Sequence, residues 1–208
     1  MSRGILIVFS GFSGSGKGTI VSQLLEQYDH YAVSVSATTR TPREGEQEGI
    51  HYYFKTVGDF EEMLCQGAFL EHANYVGNYY GTPEEPVEEL LSQGKDVILE
   101  IEYQGAVQVC AKRSDVITVF LTPPSIKELE RRLRERGTET DEMIRARLER
   151  AVEESKHMDE YDYILINDDL DECVRQLHEL ICAQHRKAAW QHAFIARIQE
   201  ELKPYRKN

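Results

Sequence analysis

Two arginines stand three residues apart in a stretch of the chain that contains no acid. Arg40 and Arg43 lie in SVSATTRTPR, where five side chains carry hydroxyls. The chain has 36 Asp and Glu against 24 Lys and Arg, yet residues 30–43 include no carboxylate. Guanidinium groups present planar forks that match phosphate oxygens, and Tyr52 and Tyr80 can add hydroxyl donors. These residues predict a site for a phosphate-bearing anion. The alternatives are a solvated loop for the arginines and ordinary packing for the tyrosines.

A glycine-rich segment near the N-terminus predicts a second phosphate site. GFSGSGKGT follows an apolar run and matches the GxxxxGK core of a P-loop at Gly11, Gly16 and Lys17. The glycines let backbone N–H groups wrap a phosphate, the helix that follows adds its positive end, and Lys17 supplies an ammonium. Gly18 occupies the place of the usual Ser or Thr, so the hydroxyl that touches Mg²⁺ is either that of Thr19 or absent. The alternative is a plain glycine turn between a strand and a helix.

Two acids lie at the end of another apolar run. Glu100 and Glu102 occur in DVILEIEYQG, and the period of a strand places them on one face. The carboxyl ends of parallel strands are where ligands bind in open α/β sheets. The pair therefore predicts a polar site beside the P-loop, and the alternative is a pair of acids that face solvent.

The elements that must position these residues follow from the apolar pattern. Short runs rich in β-branched residues occur at 5–9, 97–101, 116–121 and 163–166, with helical patterns between them. Such alternation predicts an α/β fold with a parallel sheet covered on both faces. Residues 35–95 read as an inserted lobe of short strands. Residues 125–156 read as two charged helices, with caps at Ser125 and Thr140 and a stop at Gly137. The last helix is predicted over about 171–202.

Composition narrows the class of protein. The 208 residues suit one domain with insertions. The four cysteines form no CxxC pair, which predicts reduced thiols rather than a zinc site or a disulfide framework. A net charge of −12 argues against a duplex nucleic-acid partner. No apolar run approaches the roughly 20 residues of a membrane span, and the N-terminal run lacks a signal-peptide cleavage site. We expect no membrane partner and a cytoplasmic location.

Five segments together resemble one known family. SVSATTRTPREGE, FLEHA, GNYYGT, RERGTET and INDDL are similar, in order and spacing, to segments of guanylate kinase, and the resemblance covers nearly the whole chain. It implies Mg²⁺-dependent transfer of the ATP γ-phosphoryl to GMP, giving ADP and GDP, in purine nucleotide metabolism. The substrates implied are ATP and GMP, and dGMP stays open as an acceptor. The sequence assigns no oligomeric state.

The resemblance also implies a three-layer P-loop fold with a parallel central sheet, a mixed β/α lobe that binds GMP, and a mobile helical lid. The core domain is then residues 1–34, 96–124 and 157–208. The inserted lobe is residues 35–95, and the lid is residues 125–156.

Guanine recognition has its own chemical logic. Guanine presents N1–H and its exocyclic amine side by side, and an ionised carboxylate, which only accepts, can take both. Glu71 in FLEHA resembles the carboxylate that the family uses for this purpose, and a surface acid on a strand is the alternative. Thr82 can donate to guanine O6, and Ser36 is a further candidate. Adenine accepts at N1 and would meet repulsion from Glu71.

The predicted site residues form three sets. The GMP-binding residues are Ser36, Arg40, Arg43, Tyr52, Glu71, Tyr80, Thr82, Glu100 and Glu102. The ATP-binding residues are Gly11, Phe12, Ser13, Gly14, Ser15, Gly16, Lys17, Gly18, Thr19 and, by resemblance, Asn167. The catalytic residues are Lys17, Arg40, Arg132, Arg136 and Arg147.

Glu100 and Glu102 stand where the family has Asp in LDID. We expect them to serve the Mg²⁺–water shell and the base or ribose of GMP, and which does which stays open. Thr19 and Glu100 are the candidate metal residues, mostly through water.

The lid arginines have a structural alternative. Arg132 and Arg136 lie four apart on one helical face, and Arg147 lies on the next helix. They match the family's lid arginines, and positive charge around a migrating phosphoryl group is what this transfer needs. Ion pairs such as Glu128–Arg132 are the alternative.

Two rival functions fit the same architecture. One is a non-enzymatic guanylate-kinase-like module that binds proteins, and the other is a different nucleoside monophosphate kinase. A scaffold tends to lose the P-loop lysine or the lid arginines, whereas Lys17, Arg132, Arg136 and Arg147 are all present. Glu71 and Thr82 discriminate against the second rival.

Overall fold

The structure, a computed structural model, describes residues 3–135, 137 and 140–206. The strands are β1 (Leu6–Gly11), β2 (Tyr31–Val33), β3 (Ala37–Thr38), β4 (Tyr53–Phe54), β5 (Phe69–Tyr75), β6 (Asn78–Pro83), β7 (Asp96–Glu100), β8 (Val116–Thr122) and β9 (Tyr163–Ile166). The helices are α1 (Lys17–Gln27), α2 (Val57–Cys65), α3 (Glu84–Ser92), α4 (Tyr103–Lys112), α5 (Ile126–Glu135), α6 (Asp141–Ser155), α7 (Leu170–Gln184) and α8 (His192–Glu201). Short 3-10 turns precede β9 and flank α8.

A parallel sheet forms the centre of the molecule, in the order β2-β7-β1-β8-β9. The four predicted runs form β1, β7, β8 and β9, and β1 is apolar on both faces because helices cover it on both sides. One face packs on α1 and α7, and the other packs on α3 and α4. The predicted parallel α/β fold is confirmed. The edge strand β2 was not predicted, since it has only three residues.

A second sheet, in the order β4-β3-β6-β5, lies within the inserted lobe. Its small core includes Phe60 and Phe69, whose rings stack at 4.4 Å between centroids. The lobe is attached to the core helix α4. The Gln108 side chain accepts from the His72 N–H at 3.1 Å and donates to the His72 carbonyl at 2.9 Å, and Lys112 bonds the Phe69 carbonyl. Strand β5 therefore has a fixed position relative to the central sheet.

The segment that was predicted to form the lid contains α5 and α6. The Ser125 hydroxyl accepts from the Glu128 N–H at 3.2 Å, but the Glu128 carboxylate pairs with arginines of its own helix instead of closing the predicted capping box. Thr140 caps α6 as predicted, and Gly137 has a φ of +65° where α5 has ended. Leu129 and Leu133 are buried against Phe12 and Phe120, so the lid packs directly on the loop after β1.

The C-terminal prediction is wrong in one respect. A single helix over about 171–202 was expected, but α7 ends at Gln184 and α8 begins at His192. Apolar positions stop at Ile181 and resume only beyond a polar segment, and His185 turns inward to contact both Asp96 carboxylate oxygens at 2.9 Å. The helix therefore ends within one turn of its last buried apolar residue, and the residues at its end, Gln184 and His185, make polar contacts inside the protein. No helix among the described residues is long and apolar enough to cross a membrane.

Candidate active site

A cleft of about 850 Å³ lies between the loop after β1, the inserted lobe, the end of β7 and helix α6. Most of the predicted GMP residues line it, together with two from the P-loop side and the lid. The predicted residues that line the cleft are Ser13, Ser36, Tyr52, Glu71, Tyr80, Glu100, Glu102 and Arg147. The fold thus brings together residues from four separate segments of the chain.

The P-loop wraps around its own lysine. Lys17 is the first residue of α1, and its Nζ donates to the Gly11 carbonyl at 2.7 Å and the Phe12 carbonyl at 3.1 Å. Gly16 has a φ of +99°, and a Cβ there would lie 2.6 Å from Asn167 Nδ2. Only glycine accepts both the backbone conformation and the close approach. The loop has the curvature and the helix N-terminus that favour an anionic phosphate.

Phe12, one of the predicted ATP-binding residues of the loop, has a buried side chain. Its ring is 2% exposed and meets Phe120 edge to face at 5.0 Å between centroids. Only the backbone of Phe12 is available to a ligand. The Ser15 side chain is also buried, and its hydroxyl has no hydrogen-bond partner among the described residues.

Asn167 and Arg132 hold the P-loop from the side. Asn167 is 6% exposed, and its Nδ2 donates to the Ser15 carbonyl at 2.8 Å. Arg132 donates from Nη2 to the Asn167 carbonyl at 2.8 Å and from Nε to Glu128 at 2.7 Å. Arg132 therefore forms the ion pair with Glu128 that was the alternative to its predicted catalytic role, and it also contacts the segment that holds the P-loop. The Asn167 amide is committed to the loop rather than turned outward.

Helix α6, within the segment predicted to form the lid, contacts both sides of the cleft. Arg147 bonds the Ser13 hydroxyl of the P-loop, and Arg150, one turn further, pairs with Glu102 at the start of α4. Sequence reasoning missed Arg150, although its position three residues after Arg147 places it on the same helical face. The predicted Arg136 lies outside the described residues. Arg134 pairs with Glu130 at 2.8 Å and with Asp141 at 2.6 Å.

A buried carboxylate lies at the inner end of the cleft. Glu71 on β5 is 7% exposed, and Thr82 on β6 is its cross-strand partner. The Thr82 hydroxyl donates to Glu71 Oε1 at 2.7 Å. Burial raises the pKa of Glu71, whereas the hydrogen bonds from Thr82 lower it. In this structure the Thr82 proton points at Glu71, so donation to a base oxygen would require the hydroxyl to turn.

Gly105 makes room for that carboxylate. A Cβ at this position in the first turn of α4 would lie 3.0 Å from Glu71 Oε2. A side chain there would push against the carboxylate. Sequence reasoning missed this residue, because its role depends on a contact between distant segments.

The predicted phosphate arginines lie beside the cleft. The Arg40 guanidinium stacks over the Tyr52 ring, 5.3 Å from its centroid, and Tyr52 and Tyr80 meet at 6.2 Å. Glu46 binds Arg40 through both carboxylate oxygens, and this pairing lowers the pKa of Glu46 to about 2. The Arg43 side chain is exposed. Glu46 was not predicted, although it follows Arg43 by three residues.

The two acids at the end of β7 have different surroundings. Glu100 ends the strand, and its carboxylate oxygens lie 3.9 Å from where a Gly18 Cβ would be. Glu100 is exposed to the cleft. Partial desolvation nevertheless raises the pKa of its carboxyl group, and the positive charge of Lys17 opposes that shift. Glu102 lies at the N-cap of α4 and contacts Arg150. The two carboxylates of the pair therefore have different neighbours, the P-loop side for Glu100 and Arg150 of α6 for Glu102.

Few protein groups are available for a metal ion. Thr19 is exposed on the first turn of α1, and Glu100 faces the same loop. Within residues 3–135, 137 and 140–206, no group of three or more His, Cys, Asp and Glu side chains could hold a metal ion. A cation here would take most of its ligands from phosphate and water.

Comparisons with known proteins agree on one family. The guanylate kinase family model matches residues 3–184. The guanylate kinase of Rickettsia felis is 46% identical over 187 residues, which are 90% of this chain and 97% of that protein. The guanylate kinase of Lactococcus lactis is 51% identical over 183 residues, 88% of this chain and 89% of that protein. The crystal structure of guanylate kinase from Anaplasma phagocytophilum superposes with a TM-score of 0.69 at 34% identity, covering 90% of this chain and 89% of that one.

Proposed function

The chain belongs to the guanylate kinase family, an ATP:GMP phosphotransferase family, and we propose that its cleft carries out this transfer with the residues assigned below. The observation that carries the assignment is the buried Glu71 carboxylate, which lies across one cleft from the P-loop side. A group that only accepts hydrogen bonds, placed in a dry pocket, selects a base that offers two adjacent donors.

The P-loop holds the phosphates of ATP. Backbone N–H groups over residues 11–19 and the N-terminus of α1 favour the anion. Lys17, which bonds loop carbonyls in this structure, turns to the outer phosphates when the nucleotide enters. Asn167 contributes by fixing the loop through Ser15.

The inserted lobe holds GMP. Glu71 accepts from guanine N1–H and the exocyclic amine, while Thr82 orients that carboxylate. Ser36 stands at the wall of the same cleft. Arg40 and Arg43, with the hydroxyls of Tyr52 and Tyr80, take the phosphate. Glu102, tied to the lid by Arg150, lies on the GMP side.

The chemical step needs alignment and charge more than proton transfer. The attacking phosphate oxygen of GMP is already anionic, so direct in-line transfer requires no general base. Arg132, Arg136 and Arg147 of the lid supply positive charge around the migrating group. Closure of the lid also excludes water, which would otherwise accept the phosphoryl group.

Magnesium fits this site as an ion held mainly by ATP. Mg²⁺ keeps several waters and binds through one or two protein oxygens plus substrate phosphates. The Thr19 hydroxyl and the Glu100 carboxylate are the groups that would face it. When bound, the ion neutralises charge on the ATP phosphates.

The predicted domain division belongs to the same proposal. The core (residues 1–34, 96–124 and 157–208) carries the P-loop, the inserted lobe (35–95) binds GMP, and the lid (125–156) closes over both. A cytoplasmic location stays a prediction from the sequence.

A coupled assay with ATP, Mg²⁺ and each of the nucleoside monophosphates tests the function. We expect turnover with GMP and little with AMP, CMP or UMP. Binding of GMP without turnover would instead favour a protein-binding module, and equal turnover with AMP would favour a different monophosphate kinase.

A further inference from the structure

Glu46 hydrogen-bonds one edge of the Arg40 guanidinium, the group that is proposed to bind the GMP phosphate. Glu46 Oε1 accepts from Arg40 Nη2 at 2.9 Å, and Oε2 accepts from Nη1 at 3.0 Å. Oε2 also accepts from the Arg43 backbone N–H at 2.7 Å. The two side chains are only 15% and 17% exposed, so this is a partly enclosed pair rather than a surface contact. Its position beside Tyr52 and Tyr80 requires an explanation.

We propose that Glu46 is a positioning residue for the substrate phosphate: it grips one edge of the Arg40 guanidinium and so presents the other edge to GMP. This inference rests on the proposed function, because that function assigns the phosphate to Arg40.

The geometry of the Arg40 guanidinium supports the use of one edge by Glu46 and of the other by phosphate. The group has five N–H donors in a fixed planar arrangement. Both hydrogens of Nη1 are used, one by Glu46 and one by the Thr41 carbonyl at 2.8 Å. Nε–H makes no hydrogen bond within the described part of the chain, and it shares an edge with the second hydrogen of Nη2. That edge is itself a fork suited to two phosphate oxygens.

Two tyrosines that line the cleft lie next to Arg40 or to its aromatic partner. Tyr80, which lines the cleft, lies next to the Tyr52 ring at 6.2 Å between centroids, and the Tyr52 ring stacks against the Arg40 guanidinium. A phosphate can therefore reach the remaining edge without displacing Glu46. Because the arginine is already ordered, GMP binding does not have to restrict its rotamers.

If charge alone decided the affinity for GMP, Glu46 would weaken GMP binding rather than strengthen it. A carboxylate near a phosphate site repels the phosphate, so its neutralisation should strengthen GMP binding if charge decides. If positioning decides, neutralisation should weaken binding, because a glutamine has one acceptor oxygen and an NH₂ group that faces the guanidinium donors. The sign of the effect separates the two accounts.

The experiment compares Glu46→Gln with Glu44→Gln. Both substitutions remove one negative charge from the same loop, and Glu44 is exposed and forms no ion pair with the described residues. We expect Glu46→Gln to raise the KM for GMP about tenfold or more, the size expected for one charge-assisted hydrogen bond, with the KM for ATP unchanged. We expect Glu44→Gln to leave the KM for GMP unchanged or slightly lower.

Calorimetry with GMP and guanosine provides the second readout. Guanosine lacks the phosphate, so Glu46→Gln should weaken the binding of GMP and leave that of guanosine unchanged. In an Arg40→Ala background, Glu46→Gln should no longer weaken GMP binding.

An unchanged or lower KM for GMP in Glu46→Gln would overturn the inference, and so would an equal loss of guanosine binding. The wild-type chain separates this outcome from failure of the proposed function. If the wild type does not phosphorylate GMP, the function fails; if it does and Glu46→Gln matches it, only the positioning role fails.

Discussion

Replacement of Glu71 by Gln isolates the hydrogen-bonding character of the buried carboxylate. The shape of the side chain is kept, but one acceptor oxygen becomes a donor that faces a donor of guanine. A hydrogen bond to a charged group is worth about 1.5–3 kcal/mol, and an unpaired buried group costs about 1–3 kcal/mol more. Together these terms predict a loss of about 3 kcal/mol or more, or at least roughly 100-fold in kcat/KM for GMP. The small rate with AMP should not fall with it.

Glu71→Gln should lower activity, but it should not lower the stability of the protein. Burial raises the pKa of Glu71 above its unfolded value, so the ionised carboxylate opposes folding above that raised pKa, and stability rises as the pH falls through it. Glu71→Gln removes this cost, and its melting temperature at neutral pH should equal or exceed that of the wild type. Activity and stability therefore separate.

The pH dependence follows from the same residue. Only the ionised carboxylate accepts from both guanine donors, so kcat/KM for GMP should fall as the pH drops through the raised pKa of Glu71. This loss should begin at a higher pH than for an ordinary glutamate, and Glu71→Gln should lack it. A GMP kcat/KM for Glu71→Gln within threefold of the wild type would refute the assignment of the base site.

Three further substitutions test other contacts. Gly105→Ala places a Cβ 3.0 Å from Glu71 Oε2, so steady-state kinetics should show a raised KM for GMP with the KM for ATP unchanged; an equal rise in both would contradict a local effect. Lys17→Ala should abolish turnover in the coupled assay, and normal turnover would reject the P-loop assignment. Asn167→Ala removes a buried hydrogen bond to the Ser15 carbonyl, so unfolding should become easier by about 1–2 kcal/mol and the KM for ATP should rise; a change in the KM for GMP alone would argue against this support of the loop.

Local patterns were sufficient to predict the framework. Buried parallel strands are continuous apolar runs, so β1, β7, β8 and β9 were visible in the sequence. The P-loop was visible because its glycines, lysine and following helix are adjacent in the chain. The short strand β2 gave no such signal, and the break between α7 and α8 lies at a contact between His185 and Asp96, which are far apart in the chain.

The partners of the site residues could not be predicted in the same way. Gly105 meets Glu71, and Arg150 meets Glu102, across distant segments, and no local pattern encodes such a contact. Glu46 is close to Arg40 in sequence, but its two-oxygen contact depends on the path of the loop between them. Sequence thus indicated the chemistry of the site, whereas the orientation of each group came from the fold.

In the proposed reaction, ATP and GMP occupy one cleft together, with their phosphates facing each other. Inhibition by a dinucleotide, in which adenosine and guanosine are joined 5′ to 5′ through a polyphosphate chain, tests it most directly. We predict one molecule bound per chain, with inhibition competitive against both ATP and GMP. Competition against only one of the two nucleotides, or binding no tighter than that of either nucleotide alone, would contradict the account.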